Sequence, residues 1–88
     1  MKTEFNARFL KDIDKLKQKS VKQDVIAIIE HIELTVNITE INNLKKLKGY
    51  KIAYRIRSGD YRIGLFIEND IVEFIRISHR KDIYKVFP

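Results

Sequence analysis

The chain has no cysteine and no tryptophan, and only one proline and three glycines among 88 residues. Without cysteine there can be no disulfide, no thiolate metal site and no cysteine nucleophile. With so little proline and glycine, no stretch reads as a linker or a low-complexity segment, and no internal repeat is visible. No segment approaches the roughly 20 apolar residues that span a bilayer. The start, Met1-Lys2-Thr3-Glu4-Phe5-Asn6, lacks the apolar run of a signal peptide. A soluble, cytoplasmic protein with no membrane association is expected. His31 and His79 lack metal-ligand spacing and have no carboxylate cluster beside them, so neither a metal nor another cofactor is expected. Eighty-eight residues suit one small domain, 1–88, built on one core.

What is present is charge, and it is unevenly placed. Hydrophobic residues make up 44% and charged residues 34%, the balance of a folded domain with a well-solvated surface. The formal net charge is +6. Between Asn43 and Arg62 lie seven cations, Lys45, Lys46, Lys48, Lys51, Arg55, Arg57 and Arg62, against Asp60 alone. This one stretch therefore carries the whole excess. Focused positive potential of this kind attracts and orients phosphate, so either a polyanion partner or a solvated basic face is implied.

Hydrophobic periodicity divides the chain in two. Phe9, Ile13 and Leu16 form a helical stripe, with Asn6 as its N-cap and Phe5 and Leu10 placed as a staple. A second stripe runs through Val21, Val25, Ile28, Ile29, Ile32 and Val36, and Ser20 with Gln23 has capping-box spacing to open it. The break around Lys17 to Ser20 predicts an antiparallel helical hairpin. Phe5 and its neighbours can add an edge strand before it. Period two then takes over: Tyr50, Ile52, Tyr54 and Ile56 alternate with Lys51, Ala53, Arg55 and Arg57. Ser58-Gly59-Asp60 reads as a turn, Tyr61 to Phe66 as a second strand, Glu68-Asn69-Asp70 as a turn and Ile71 to Ser78 as a third strand. A short helix or turn is predicted over Arg80 to Val86. The expected fold class is α+β, an N-terminal helical hairpin packed on one face of a small antiparallel sheet. The other face would be free for a ligand.

Two strings carry a family resemblance. Tyr54-Arg55-Ile56-Arg57-Ser58-Gly59-Asp60-Tyr61-Arg62, preceded by Leu44-x-x-Leu47-Lys48-Gly49, is similar to the strand–turn–strand of RelE-like toxins. Ile77-Ser78-His79-Arg80-Lys81-Asp82-Ile83-Tyr84 resembles the C-terminal signature of the same RelE/ParE superfamily. With the two helices, the resemblance covers essentially the whole chain. It implies a toxin of a type II toxin–antitoxin system with the RelE-like microbial RNase fold. The implied activity is that of a ribosome-dependent mRNA endonuclease, or mRNA interferase, which inhibits translation. The implied partners are a cognate antitoxin, the ribosome and mRNA. In the implied reaction the ribose 2′-hydroxyl attacks the adjacent phosphodiester, without a metal, leaving a 2′,3′-cyclic phosphate and a 5′-hydroxyl.

The family's functional cations would fall on Arg55, Arg62 and Arg80, and its functional tyrosine on Tyr84. Guanidinium is permanently charged and can hold two phosphate oxygens, which suits Arg62 to a dianionic transition state. Arg80 and Tyr84 are four residues apart and share a face of any helical turn. Lys45, Lys46, Lys48, Lys51, Arg57 and Lys81 are the expected RNA-binding cations. One position departs from the family: Ala53 stands where well-studied members carry a lysine. Arginine does not deprotonate in proteins, so the general base is open among Tyr84, Lys51 and His79. Arg57 and Arg76 are either part of the RNA face or partners of Asp60 and Glu73. His31 is expected to be structural, and Tyr50, Tyr54 and Tyr61 to lie in the core. An acidic antitoxin segment is expected on the basic face and on the loop from Asn37 to Gly49. Two other readings stand beside the ribonuclease. One is a ParE-like inhibitor of DNA gyrase, and the other a decayed toxin that only binds its antitoxin.

Overall fold

The computed structural model describes residues Met1–Pro88. A five-stranded sheet is formed by β1 (Lys2–Phe5), β2 (Leu44–Lys46), β3 (Ala53–Ser58), β4 (Tyr61–Glu68) and β5 (Ile71–His79), in the order β1-β5-β4-β3-β2. Three helices accompany it, α1 (Ala7–Lys15), α2 (Lys19–Leu34) and α3 (Ile83–Val86), with a 3₁₀ turn at Ile38–Glu40. All strand pairs are antiparallel except β1 with β5, which is parallel. The α+β class is therefore as expected.

The edge strand expected at Phe5 is β1, ahead of the helices, but a helical hairpin as such is not what organises this end: α1 packs on β5 while α2 packs on β1 and β3. Sheet contact holds both helices because Phe9, Val25 and Ile32 join the buried apolar cluster there, each being 3% exposed or less. Between the helices an apolar groove stays open, lined by Phe5, Leu10, Ile13 and Ile26 among others. Asn6 caps α1 as expected, its side-chain oxygen accepting from the Arg8 N–H at 2.9 Å. Ser20 does not cap α2. That helix begins one residue earlier, at Lys19, behind Gln18, which makes no side-chain cap. Val36 also leaves the predicted stripe: Thr35 ends α2, its hydroxyl donating to the Ile32 carbonyl at 2.8 Å, and Val36 is exposed.

The sheet departs from expectation in the first half of the basic stretch. The first period-two strand begins at Ala53, so Tyr50 to Ile52 belong to the connection and Tyr50 is 52% exposed. Leu44–Lys46, read as loop, forms the edge strand, with Lys45 opposite Arg55. A two-residue turn with Gly59 at φ +57° joins β3 to β4. Asn69 and Asp70 at φ +53° and +62° make the β4–β5 turn.

Apolar residues of both sheet faces are buried. On the helix face, Ile56, Ile63, Leu65, Ile67, Val72, Phe74 and Ile77 join Phe9, Val25, Ile32 and Ile41. On the opposite face a smaller cluster forms from Ala53, Ile83 and Phe87, with Leu47, Phe66 and Ile75 against it. That face, expected to be free, is thus covered at one end by α3 and Phe87 and open only at the other. No helix is long and apolar enough to cross a membrane.

Candidate functional site

The open end of the second face is built around the β3–β4 turn. Strand alternation puts Arg55 and Arg57 of β3 on this face, and cross-strand register sets Arg57 directly opposite Arg62 and Arg55 opposite Gly64. Ser78 of β5 follows on the far side of Arg62. The chain then leaves β5, and the Arg80 N–H donates to the Asp60 carbonyl at 2.7 Å, which ties the segment before α3 back to the turn. Arg55, Arg57, Arg80 and Tyr84 all act electrostatically on Arg62. The structure brings these five side chains together.

Their electrostatics are unbalanced. Like charges directly opposed across two strands destabilise a sheet, and here Arg57 faces Arg62. The Arg62 pKa is pushed below the usual arginine value, chiefly by partial burial and then by Arg55, Arg57 and Arg80, with Tyr84 opposing. Its Nη1 donates to the carbonyls of Gly59 at 2.8 Å and Tyr61 at 2.9 Å, which holds the guanidinium on the turn. Asp60 approaches Arg80 at 3.9 Å, but both side chains are more than half exposed, so this pair contributes little. Arg55 makes one long bond of 3.4 Å to the Asn43 carbonyl. Concentrated cations without matching anions can bind an anionic group carrying several oxygens. No group of three or more His, Asp or Glu side chains is arranged to hold a metal ion.

The remaining candidates are spread out. Lys45 lies beside Arg55 on the edge strand, while Lys46 pairs with Tyr54. Lys48 and Lys51 are exposed in the connection before β3, and Lys81 is exposed in the turn before α3. Lys51 precedes the first residue of β3 and so lies outside the ladder that carries Arg55 and Arg57. His79 lies opposite Tyr61 on the helix face, ring edge towards it at 5.8 Å, and its Nδ1 accepts from the Lys81 N–H at 3.2 Å. Neither Lys51 nor His79 is brought to the arginine face.

Arg76 is drawn away from that face as well. A register shift between Gly64 and Leu65 leaves Ile75 without a partner in β4, the mark of a β-bulge. Arg76 then makes a bidentate pair with Asp12 of α1, Nε to Oδ2 at 2.8 Å and Nη2 to Oδ1 at 3.1 Å. Its partner is therefore Asp12 and not Glu73, and hydrogen bonding to that carboxylate raises its pKa. The Ile77 N–H also donates to Asp12. His31 bonds the Glu40 carbonyl through Nε2 at 3.0 Å, as a structural histidine would.

Ala53 is the position that sequence reasoning left without an account. It is 1% exposed and lies in the cluster beneath Ile83 and Phe87. The signal was available in principle, since Ile83 and Phe87 have i, i+4 spacing, but nothing local says where they dock.

Comparison with known proteins bears on the family and the fold. A family model described as the ParE toxin of the type II toxin–antitoxin system parDE matches residues 3–84. Toxin RelE3 of Methanocaldococcus jannaschii is 38% identical over 89 residues, which cover all of both chains. Among solved structures, the RelB–RelE antitoxin–toxin complex from Methanococcus jannaschii superposes with a TM-score of 0.81 at 35% identity, covering 97% of this chain and 99% of that one. The intact Escherichia coli RelBE toxin–antitoxin complex gives 0.63 at 27% identity, with 89% and 94% covered. On sequence over its whole length and on fold, this chain belongs to the RelE/ParE superfamily of type II toxin–antitoxin toxins.

Proposed function

We propose that residues 1–88 form a single RelE-like toxin domain that cuts mRNA on the ribosome and so arrests translation. The observation that carries this reading is the convergence of Arg55, Arg57, Arg62, Arg80 and Tyr84 on one open sheet face, with exposed Asp60 as the anion beside them. The 2′-hydroxyl gives up its proton, its oxygen bonds to phosphorus, the bond to the 5′ oxygen breaks, and that oxygen takes a proton. Such a displacement needs in-line positioning and stabilisation of charge on the phosphoryl oxygens. In this reading Arg62 and Arg80 hold those oxygens, Arg55 and Arg57 hold the flanking backbone, and no metal is needed for charge stabilisation. Tyr84, 60% exposed on the same face, either stacks on a base or accepts the 2′ proton. Lys45, Lys46, Lys48, Lys51 and Lys81 add attraction for RNA around this centre.

The RelE relatives from Methanococcus jannaschii and Escherichia coli described above are solved as complexes with RelB antitoxins. For this chain a cognate antitoxin with an acidic segment over the arginine face and the Asn37–Gly49 stretch fits the same charge pattern. The cytoplasm, where ribosomes are met, is the compartment this reading requires. The test is expression in cells followed by mapping of mRNA ends. Wild type should arrest growth and cut messages at ribosomes, and Arg62→Ala or Arg80→Ala should abolish both. Intact messages during arrest would sink the reading.

The matched family model, named for ParE, together with the absence of a lysine at Ala53, favours a second reading as a gyrase inhibitor. Inhibition of supercoiling by the purified protein would support it. A toxin decayed to an antitoxin-binding module would bind its antitoxin yet leave growth unaffected when expressed alone.

A further inference from the structure

We propose that Phe87 is a positioning residue: seated on Gly64, it fixes α3 so that Tyr84 stands over the arginine face beside Arg62. The catalytic consequence rests on the ribonuclease reading above, while the docking of α3 that carries Tyr84 rests on geometry alone.

A four-residue helix does not hold itself together in water, so α3 depends on what it docks against. Ile83 is fully buried and Phe87 is 2% exposed, whereas Tyr84 between them is 60% exposed. Ile83 and Phe87 are four apart and point the same way, joined by the Phe87 N–H to Ile83 carbonyl bond of 2.8 Å. Beneath the Phe87 ring lies Gly64. A Cβ built there would meet three ring carbons at 2.5 to 2.7 Å, so the aromatic occupies the space that any side chain at 64 would need. Phe66 tilts against the same ring at 5.5 Å, and Ala53 completes the seat. Small residues at 53 and 64, in adjacent strands, thus make room for one aromatic from the C-terminal segment. Upstream the segment is clamped by the Arg80 N–H to Asp60 carbonyl bond. Tyr84 hangs between the two clamps.

The position of Tyr84 can be read with 3-fluorotyrosine incorporated into the full chain, its resonance assigned by its loss in Tyr84→Phe. In the wild type this resonance should shift on Arg62→Lys. In Phe87→Ala it should move and lose that response, while the Tyr54 and Tyr61 resonances at the main core stay in place. On ribosome-bound mRNA, Phe87→Ala should lower the saturating cleavage rate about tenfold or more, as small misplacements of reacting groups do. The half-saturating concentration should stay nearly constant, and Phe87→Leu should recover most of the rate. Gly64→Ala should reproduce the loss, and should add little in the Phe87→Ala background, where the clashing ring is gone. An unmoved Tyr84 resonance in Phe87→Ala overturns the proposal, as does a displaced one with wild-type cleavage. Should wild type fail to cut ribosome-bound mRNA, the ribonuclease reading falls. The fluorine resonance then still decides whether Phe87 positions Tyr84. Should Phe87→Ala unfold as a whole, Gly64→Ala gives the same two readouts, with an unmoved Tyr84 resonance there overturning the proposal.

Discussion

Arg57 and Arg62 face each other across β3 and β4, an arrangement that costs stability and that an anionic ligand would relieve. If that ligand is a phosphodiester, fork geometry matters as well as charge. Arg62→Lys keeps the cation but loses the bidentate hold. Its cleavage rate on ribosome-bound mRNA should drop on the order of 10²-fold, the usual cost of removing a donor to developing charge. Ala53 supports the opposite prediction. Introducing the family's lysine by Ala53→Lys buries an ammonium under Ile83 and Phe87, where the position is 1% exposed. Chemical denaturation should show a loss of about 2 kcal/mol or more. Cleavage should fall rather than rise, because the seat of α3 is disturbed. A gain in rate would mean that position 53 remains a catalytic one.

Among the elements, the contact of α1 with β5 joins apolar packing of Phe9 on Phe74 to one largely buried polar pair. Asp12 accepts two bonds from Arg76 and one from the Ile77 N–H, and both side chains are largely buried. Asp12→Ala leaves a guanidinium and an amide without partners, a change expected to cost about 2–4 kcal/mol in urea unfolding. Cleavage by the folded fraction should be unchanged, since the arginine face lies across the sheet. The Arg76 pKa is raised by this pair, so its stabilisation is fully present below the arginine value of the unfolded chain and is lost only above the folded one. No stability loss from Arg76 is expected anywhere in the neutral range. This pair could not be read from the sequence. Pairing opposite Gly64, two residues along from Ser78 opposite Arg62, would put Arg76 on the arginine face, and the irregularity between Gly64 and Leu65 leaves it beside α1 instead.

For the molecule entire, the distribution of charge is the decisive quantity. The +6 excess lies between Asn43 and Arg62, and the fold gathers its arginines with Arg80 on one face while α1 and α2 cover the other. Affinity for a single-stranded RNA oligonucleotide should therefore fall linearly in log–log with salt, by about 0.7 for each phosphate contact. The double substitution Lys45→Ala with Arg57→Ala should reduce that slope by about 1.4, if each cation meets one phosphate. An unchanged slope would move the RNA elsewhere. Substituting Lys19 and Lys22 on α2 should leave the slope as it is.

Local patterns were sufficient for a good part of this protein. Period two named β4 and most of β3, the turns at Gly59 and Asn69, and the common face of Arg55 and Arg57, because alternation and turn chemistry are properties of neighbouring residues. The helical stripes likewise found α1 and α2, though not the Gln18 start or the exposed end at Val36. What the chain could not declare locally were its long-range partners. The edge strand at Leu44–Lys46 exists because β3 offers it hydrogen bonds, and Lys51 and His79 fall away from the arginines because of where the strand begins and which face it turns. Whether Ala53 was a missing lysine or a filled seat depended on Phe87, 34 residues later in the chain. Docking of that kind is decided by packing among residues brought together from distant parts of the sequence, and only the folded sheet brings them together.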